Sequence, residues 1–181
     1  MPRYAAFLRG INVSGHRVTG TALQACLTEL GLEDAATFRA SGNVIFSADG
    51  GEPLDALAGR IETALAASLG YAVPTYVRTS AQVRAMAAHE PFAAEHVAAT
   101  AGRVQVLLLS GRPAARQRKQ VLALASDSDR LAFHGNELYW LPNGGISDSV
   151  LDLDAIGAVL GAGTMRTKGT IDQIAARYFA P

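Results

Sequence analysis

Twice along this chain, short apolar runs alternate with segments of helical period, and that alternation restricts the fold more than any other feature. Tyr4 to Leu8 is an apolar run that ends at Arg9-Gly10, and a polar loop through Ser14, Gly15 and His16 follows it. Leu23, Cys26, Leu27 and Leu30 then recur at i, i+3, i+4 and i+7, which places them on one helical face, with Gly31 as the stop. Thr37 to Arg39 and Val44 to Phe46 flank Ala40-Ser41-Gly42-Asn43, where a glycine able to take positive φ allows a tight hairpin turn. Pro53 and Gly70 bracket a second helix carrying Leu54, Leu57, Ile61, Ala64 and Leu65 on its stripe. Ala72 to Arg78 reads as a strand, which Pro74 confines to an edge or a strand start.

The second half repeats much of this order. Thr79 and Gln82 have capping-box spacing ahead of a helix from Ala81 to Ala88, which stops before Pro91. Phe92 to Ala101 shows no strong periodicity and reads as the linker between lobes. Val104 and Val106 to Leu109 form a strand apolar on both faces, and Pro113 opens the next helix. Leu131 to His134 and Glu137 to Leu141 flank the two-residue turn Gly135-Asn136. Ser149 and Asp152 have capping-box spacing before Leu153, Ile156 and Leu160, and a last helix runs from Ile171 to Tyr178, with Thr170 and Gln173 at capping-box spacing before it. Each half is thus βαββα-type, with an extra strand in the first. The expectation is an α+β fold of two ferredoxin-like lobes, residues 1–90 and 91–181, each an open, mainly antiparallel sheet with helices on one face.

Composition narrows the functional classes. Of 181 residues, 49% are hydrophobic and 18% charged, enough apolar surface to offset the entropy of ordering the chain. Sixteen basic residues balance sixteen acidic ones, which argues against a protein that grips DNA chiefly through its phosphates. A single cysteine, Cys26, allows neither an internal disulfide nor a cysteine-based zinc site, and no apolar run is long enough for a signal peptide or a membrane span. The expected location is cytoplasmic.

Several local motifs together resemble the bacterial family described as domain of unknown function 1697. Leu8-Arg9-Gly10-Ile11-Asn12-Val13 follows the first strand, and Ser41-Gly42-Asn43-Val44 with Phe46 forms the hairpin. Glu90-Pro91-Phe92, Tyr139 to Pro142, and Thr164, Arg166 and Thr170 extend the match over nearly the whole chain. The family carries Asn where this chain has Thr167, and a basic residue where it has Asp148. The resemblance implies two ferredoxin-like subdomains in a cytoplasmic bacterial protein, and no activity.

Arg9, Gly10 and Asn12 put a guanidinium, a glycine that exposes backbone and an amide at the end of an apolar strand, a combination that suits an anion. The competing reading is an ion pair at Arg9 and a plain turn at Gly10. Ser41 and Asn43 are either ligand contacts beside that segment or turn residues bonded to their own backbone. Arg166, Lys168 and Thr170 lead into the final helix, whose first amides and dipole favour phosphate or carboxylate, unless Thr170 is simply a cap.

No nucleophile elbow surrounds Ser41. The order of a P-loop is absent, Gly161-Ala162-Gly163 lacks the third glycine of a dinucleotide fingerprint, and the four histidines show no i,i+4 pairing. The sequence therefore predicts no cofactor and no metal, and leaves open whether the chain is an enzyme. The expected function is binding of a small phosphate- or carboxylate-bearing ligand in a polar cleft between the lobes, formed by the Arg9–Asn12, Ser41–Asn43 and Thr164–Thr170 segments. The alternative is a nucleic-acid or protein interaction module using the sheet face or the basic helix from Arg112 to Lys119. Oligomeric state is left open.

Overall fold

The computed structural model of the chain describes residues 1–13 and 15–180, so Ser14 in the first polar loop lies outside the described residues. The chain divides into two compact units, Met1–Met86 with the segment from Gln173 onward, and Ala87–Asp172. No helix among the described residues is long and apolar enough to cross a membrane.

The first unit follows the order β1 (Arg3–Leu8), α1 (Gly20–Glu29), β2 (Glu33–Phe38), β3 (Asn43–Ser47), α2 (Leu54–Leu69) and β4 (Thr75–Thr79). Its sheet has the order β2-β3-β1-β4, with every neighbouring pair antiparallel, which is the ferredoxin-like arrangement expected from the sequence. Alternation along the strands sends Tyr4, Ala6, Leu8, Val44, Phe46 and Val77 to one face. There they bury against Leu23, Leu27, Leu57, Ile61 and Leu65 of α1 and α2. Ala5, Phe7, Ile45 and Arg78 on the opposite face are buried too. The ring of Phe38 meets Tyr178 edge-on at 6.2 Å.

Local chemistry fixes the element ends. Thr19 caps α1 by accepting the Ala22 N–H, and Gly70 ends α2 in the left-handed conformation at φ 79°. β4 lies at the sheet edge directly after Pro74, where the missing N–H costs no ladder bond. Thr79 and Gln82 form the expected capping box of α3 (Ser80–Ala88), with reciprocal bonds of 2.9 and 3.1 Å.

The second unit runs α4 (Ala94–Ala99), β5 (Gln105–Leu109), α5 (Ala115–Leu122), β6 (Asp129–His134), β7 (Glu137–Pro142), α6 (Leu153–Leu160) and β8 (Gly163–Thr167) before α7 (Lys168–Tyr178). Its sheet order, β6-β7-β5-β8, repeats that of the first and is antiparallel throughout. The segment read as a linker contains α4, a short alanine-rich helix with no buried residue, which is why it shows no apolar period. The Thr164 to Thr167 segment, read as a lead-in to the last helix, is the closing strand β8, so both units are βαββαβ. Two caps also shift. Asp152 itself caps α6 by accepting the Ala155 N–H, and Thr167 rather than Thr170 accepts at the start of α7.

Candidate anion site in the first unit

β1 ends on Leu8, whose N–H donates to the Gly42 carbonyl at 2.7 Å, so the Arg9–Asn12 segment and the Ser41–Asn43 turn meet at one end of the first sheet. Gly42 is required there. Its φ is +74°, and a Cβ would stand 2.7 Å from Ile11 Cγ2 and 3.0 Å from Leu8 Cβ.

Most polar groups at this end hold the loops together. Asn12 donates to the Ala40 carbonyl at 2.8 Å and accepts the Val18 N–H at 2.7 Å, which ties the β1–α1 loop to the hairpin and then to itself. Asn43 donates from Nδ2 to the Phe38 carbonyl and to Ser41 Oγ. Tyr71 donates its hydroxyl to the Ile11 carbonyl at 2.8 Å and stacks on His16, ring centroids 3.9 Å apart. Arg39, at φ 59°, is held by the Gln173 carboxamide at 2.8 Å.

The braced loop closes one wall of a cleft of about 520 Å³, lined by Asn12, Gly15, His16, Arg17, Val18, Thr19 and Ala40. That volume suits a small-molecule ligand. Arg17 and His16 are exposed on its rim. Among the described residues Arg17 has no ion-pair or hydrogen-bond partner. Arg9, at the other end of the same loop, is exposed and turns toward Tyr76. Burial pushes the Tyr76 hydroxyl above its ordinary pKa, and the charge and hydrogen bond of Arg9 oppose that shift. No sequence motif marks His16 and Arg17, which line this candidate cleft, or Tyr71, which braces its loop. The signal was the length of the loop rather than any motif.

Arg166, Lys168 and Thr170 belong to the second strand set and the helix after it, and all three are buried. Arg166 donates to Thr164 Oγ1 at 2.9 Å and to the Met165 carbonyl at 2.8 Å, and burial lowers its pKa to about 10. Lys168 bonds to Glu90 at 2.9 Å, Asp172 at 3.1 Å and the Ala87 carbonyl at 2.8 Å. Burial pulls its ammonium down, and the two carboxylates more than reverse this, leaving the pKa raised. Thr170 exchanges a hydroxyl contact with Thr167 at 2.9 Å. The basic stretch read as one helix is only partly helical, since α5 starts at Ala115 and leaves Arg112 in the loop before it. Arg118 donates to the Gly135 carbonyl and lies over the Phe133 ring, while Arg112, Arg116 and Lys119 stay exposed. Among the described residues, no three His, Cys, Asp or Glu side chains come together as metal ligands.

The family model for "Protein of unknown function (DUF1697)" matches residues 1–139, and the chain belongs to that family. Among solved structures, the chain is similar to a conserved bacterial protein, SP0830 from Streptococcus pneumoniae, at 25% identity and a TM-score of 0.77 over 97% of each chain. No curated protein matches.

Proposed function

We propose that the first unit binds a small ligand bearing phosphate or carboxylate in the cleft beneath the β1–α1 loop. Arg17 supplies the charge, His16 a further donor, and Arg9 a second guanidinium at the far end of the loop. The observation that carries this reading is a guanidinium without an internal partner on the rim of a cleft whose walls are braced by Asn12 and Tyr71. Bracing lowers the ordering cost of binding.

A thermal-shift series with inorganic phosphate, pyrophosphate, citrate and sugar phosphates tests it. One of these raises Tm by about 5 °C near saturation, and Arg17→Ala removes the shift while leaving the ligand-free Tm within about 1 °C. An unshifted Tm across the series overturns the reading. Salt-sensitive binding of a short RNA, lost with the Arg112/Arg116 double substitution, establishes the interaction-module alternative instead.

A further inference from the structure

The second unit contains a smaller cavity, of about 160 Å³, at the end of its sheet where β6 begins and β7 stops. His96, Ala99 and Thr100 from α4 and its C-terminus form one side. Asp127, Arg130, Leu141, Pro142 and Asn143 form the rest. One side-chain hydroxyl ties the backbone of the walls together. Thr100 Oγ1 donates to the Pro142 carbonyl at 2.9 Å and accepts the N–H groups of Gly102 and Gly144, so the end of α4 is latched to the end of β7. The fit leaves no room at Gly102, where a Cβ would collide with the Pro142 carbonyl oxygen.

Three titratable side chains line this cavity, and among the described residues neither Asp127 nor Arg130 has an ion-pair or hydrogen-bond partner. Opposite charges among the residues lining one small space suit a ligand that carries both. We propose that the cavity binds a small zwitterion of the α-amino acid class, its carboxylate on the Arg130 guanidinium and its ammonium on the Asp127 carboxylate, with a short apolar side chain against Ala99 and Leu141. Size supports the class. A cavity of about 160 Å³ accommodates a molecule the size of alanine.

The probes are L-alanine and two analogues that each lack one charge, propionate and ethylamine, titrated against the full chain and followed by backbone amide shifts. L-alanine produces saturable shifts at Thr100, Asp127, Arg130 and Asn143, and each analogue binds at least about tenfold more weakly. Asp127→Asn and Arg130→Gln each weaken L-alanine by about tenfold or more, and unchanged amide spectra elsewhere show that both variants are folded. Propionate binding as tightly as L-alanine, with Asp127→Asn neutral or strengthening, overturns the zwitterion in favour of a simple anion site. Absence of saturable shifts with all three probes overturns it entirely.

Discussion

Register aligns the two sheets residue by residue. Ala5 lies between Ile45 and Arg78, and Val106 lies between Tyr139 and Arg166. From that anchor Leu8-Arg9-Gly10 corresponds to Leu109-Ser110-Gly111, and the Leu8 bond to the Gly42 carbonyl corresponds to that of Leu109 with Asn136. Thr79 and Thr167, after the two aligned arginines, each start the following helix. The insertions differ. The β1–α1 loop has eleven residues against five between β5 and α5, and the first hairpin turn has four against two. At the opposite end the relation reverses, with ten residues from β7 to α6 against six from β3 to α2. Each candidate cleft lies where its own unit is the longer one. Residues common to the two sheets hold the frame, and the unshared loops contribute to the walls of the two candidate clefts.

The largest expected cost lies in the cores. The helices on the first sheet bury Leu27, Leu57, Ile61 and Leu65 completely or nearly so. On the second sheet Val121, Leu138 and Ile156 are buried among half-buried neighbours. Leu27→Ala should therefore cost about 4 kcal/mol in denaturant unfolding and Ile156→Ala about 2 kcal/mol. Equal costs would show that the second core is as closely packed as the first. Smaller individual costs separate the aligned turn residues. Gly42→Ala forces an L residue to positive φ against Ile11 and should cost about 2–3 kcal/mol. Asn136→Ala, which needs no such conformation, should cost about 0.5 kcal/mol in the same measurement. A Gly42→Ala variant as stable as the parent would mean that this end of the first sheet is looser than its hairpin geometry indicates.

Sequence periodicity was enough for the helices and strands with a solvent face, because one-sided burial writes itself into spacing, as at Leu23, Cys26, Leu27 and Leu30. It failed at β8. Thr164 and Arg166 are buried polar residues on a strand, so the segment carries no apolar alternation to read. It also failed at α4, which buries nothing. At the candidate site the same limit applied from the other side. Asn12 and Asn43 have the right chemistry for a ligand, but their hydrogen bonds go to Ala40, Val18, Phe38 and Ser41, pairings set by which loops the sheet order brings together. Arg17 and His16 belong to no motif, and only the cleft gives them meaning.

The smallest effect concerns one aligned position, the last residue of the second strand in each unit. In the first it is Phe38, edge-on to Tyr178. In the second it is His134, stacked on His89 at 4.2 Å, with the Tyr139 ring edge-on to His89 at 5.1 Å. Burial lowers the His89 pKa below its ordinary 6.5, and the charges of His134 and Lys168 lower it further, against a raising contribution from Glu90. A histidine depressed in the folded state is neutral there while the unfolded chain already takes up a proton. Its contribution is therefore complete above pH 6.5 and is lost as pH falls from that value through the folded-state pKa. Replacing His134 by the phenylalanine of the first unit removes one cause and leaves burial, the larger one. The His89 ring-proton titration by NMR should then move upward and stop short of 6.5. An unmoved midpoint in His134→Phe would show that the two imidazoles share a surface without sharing a charge.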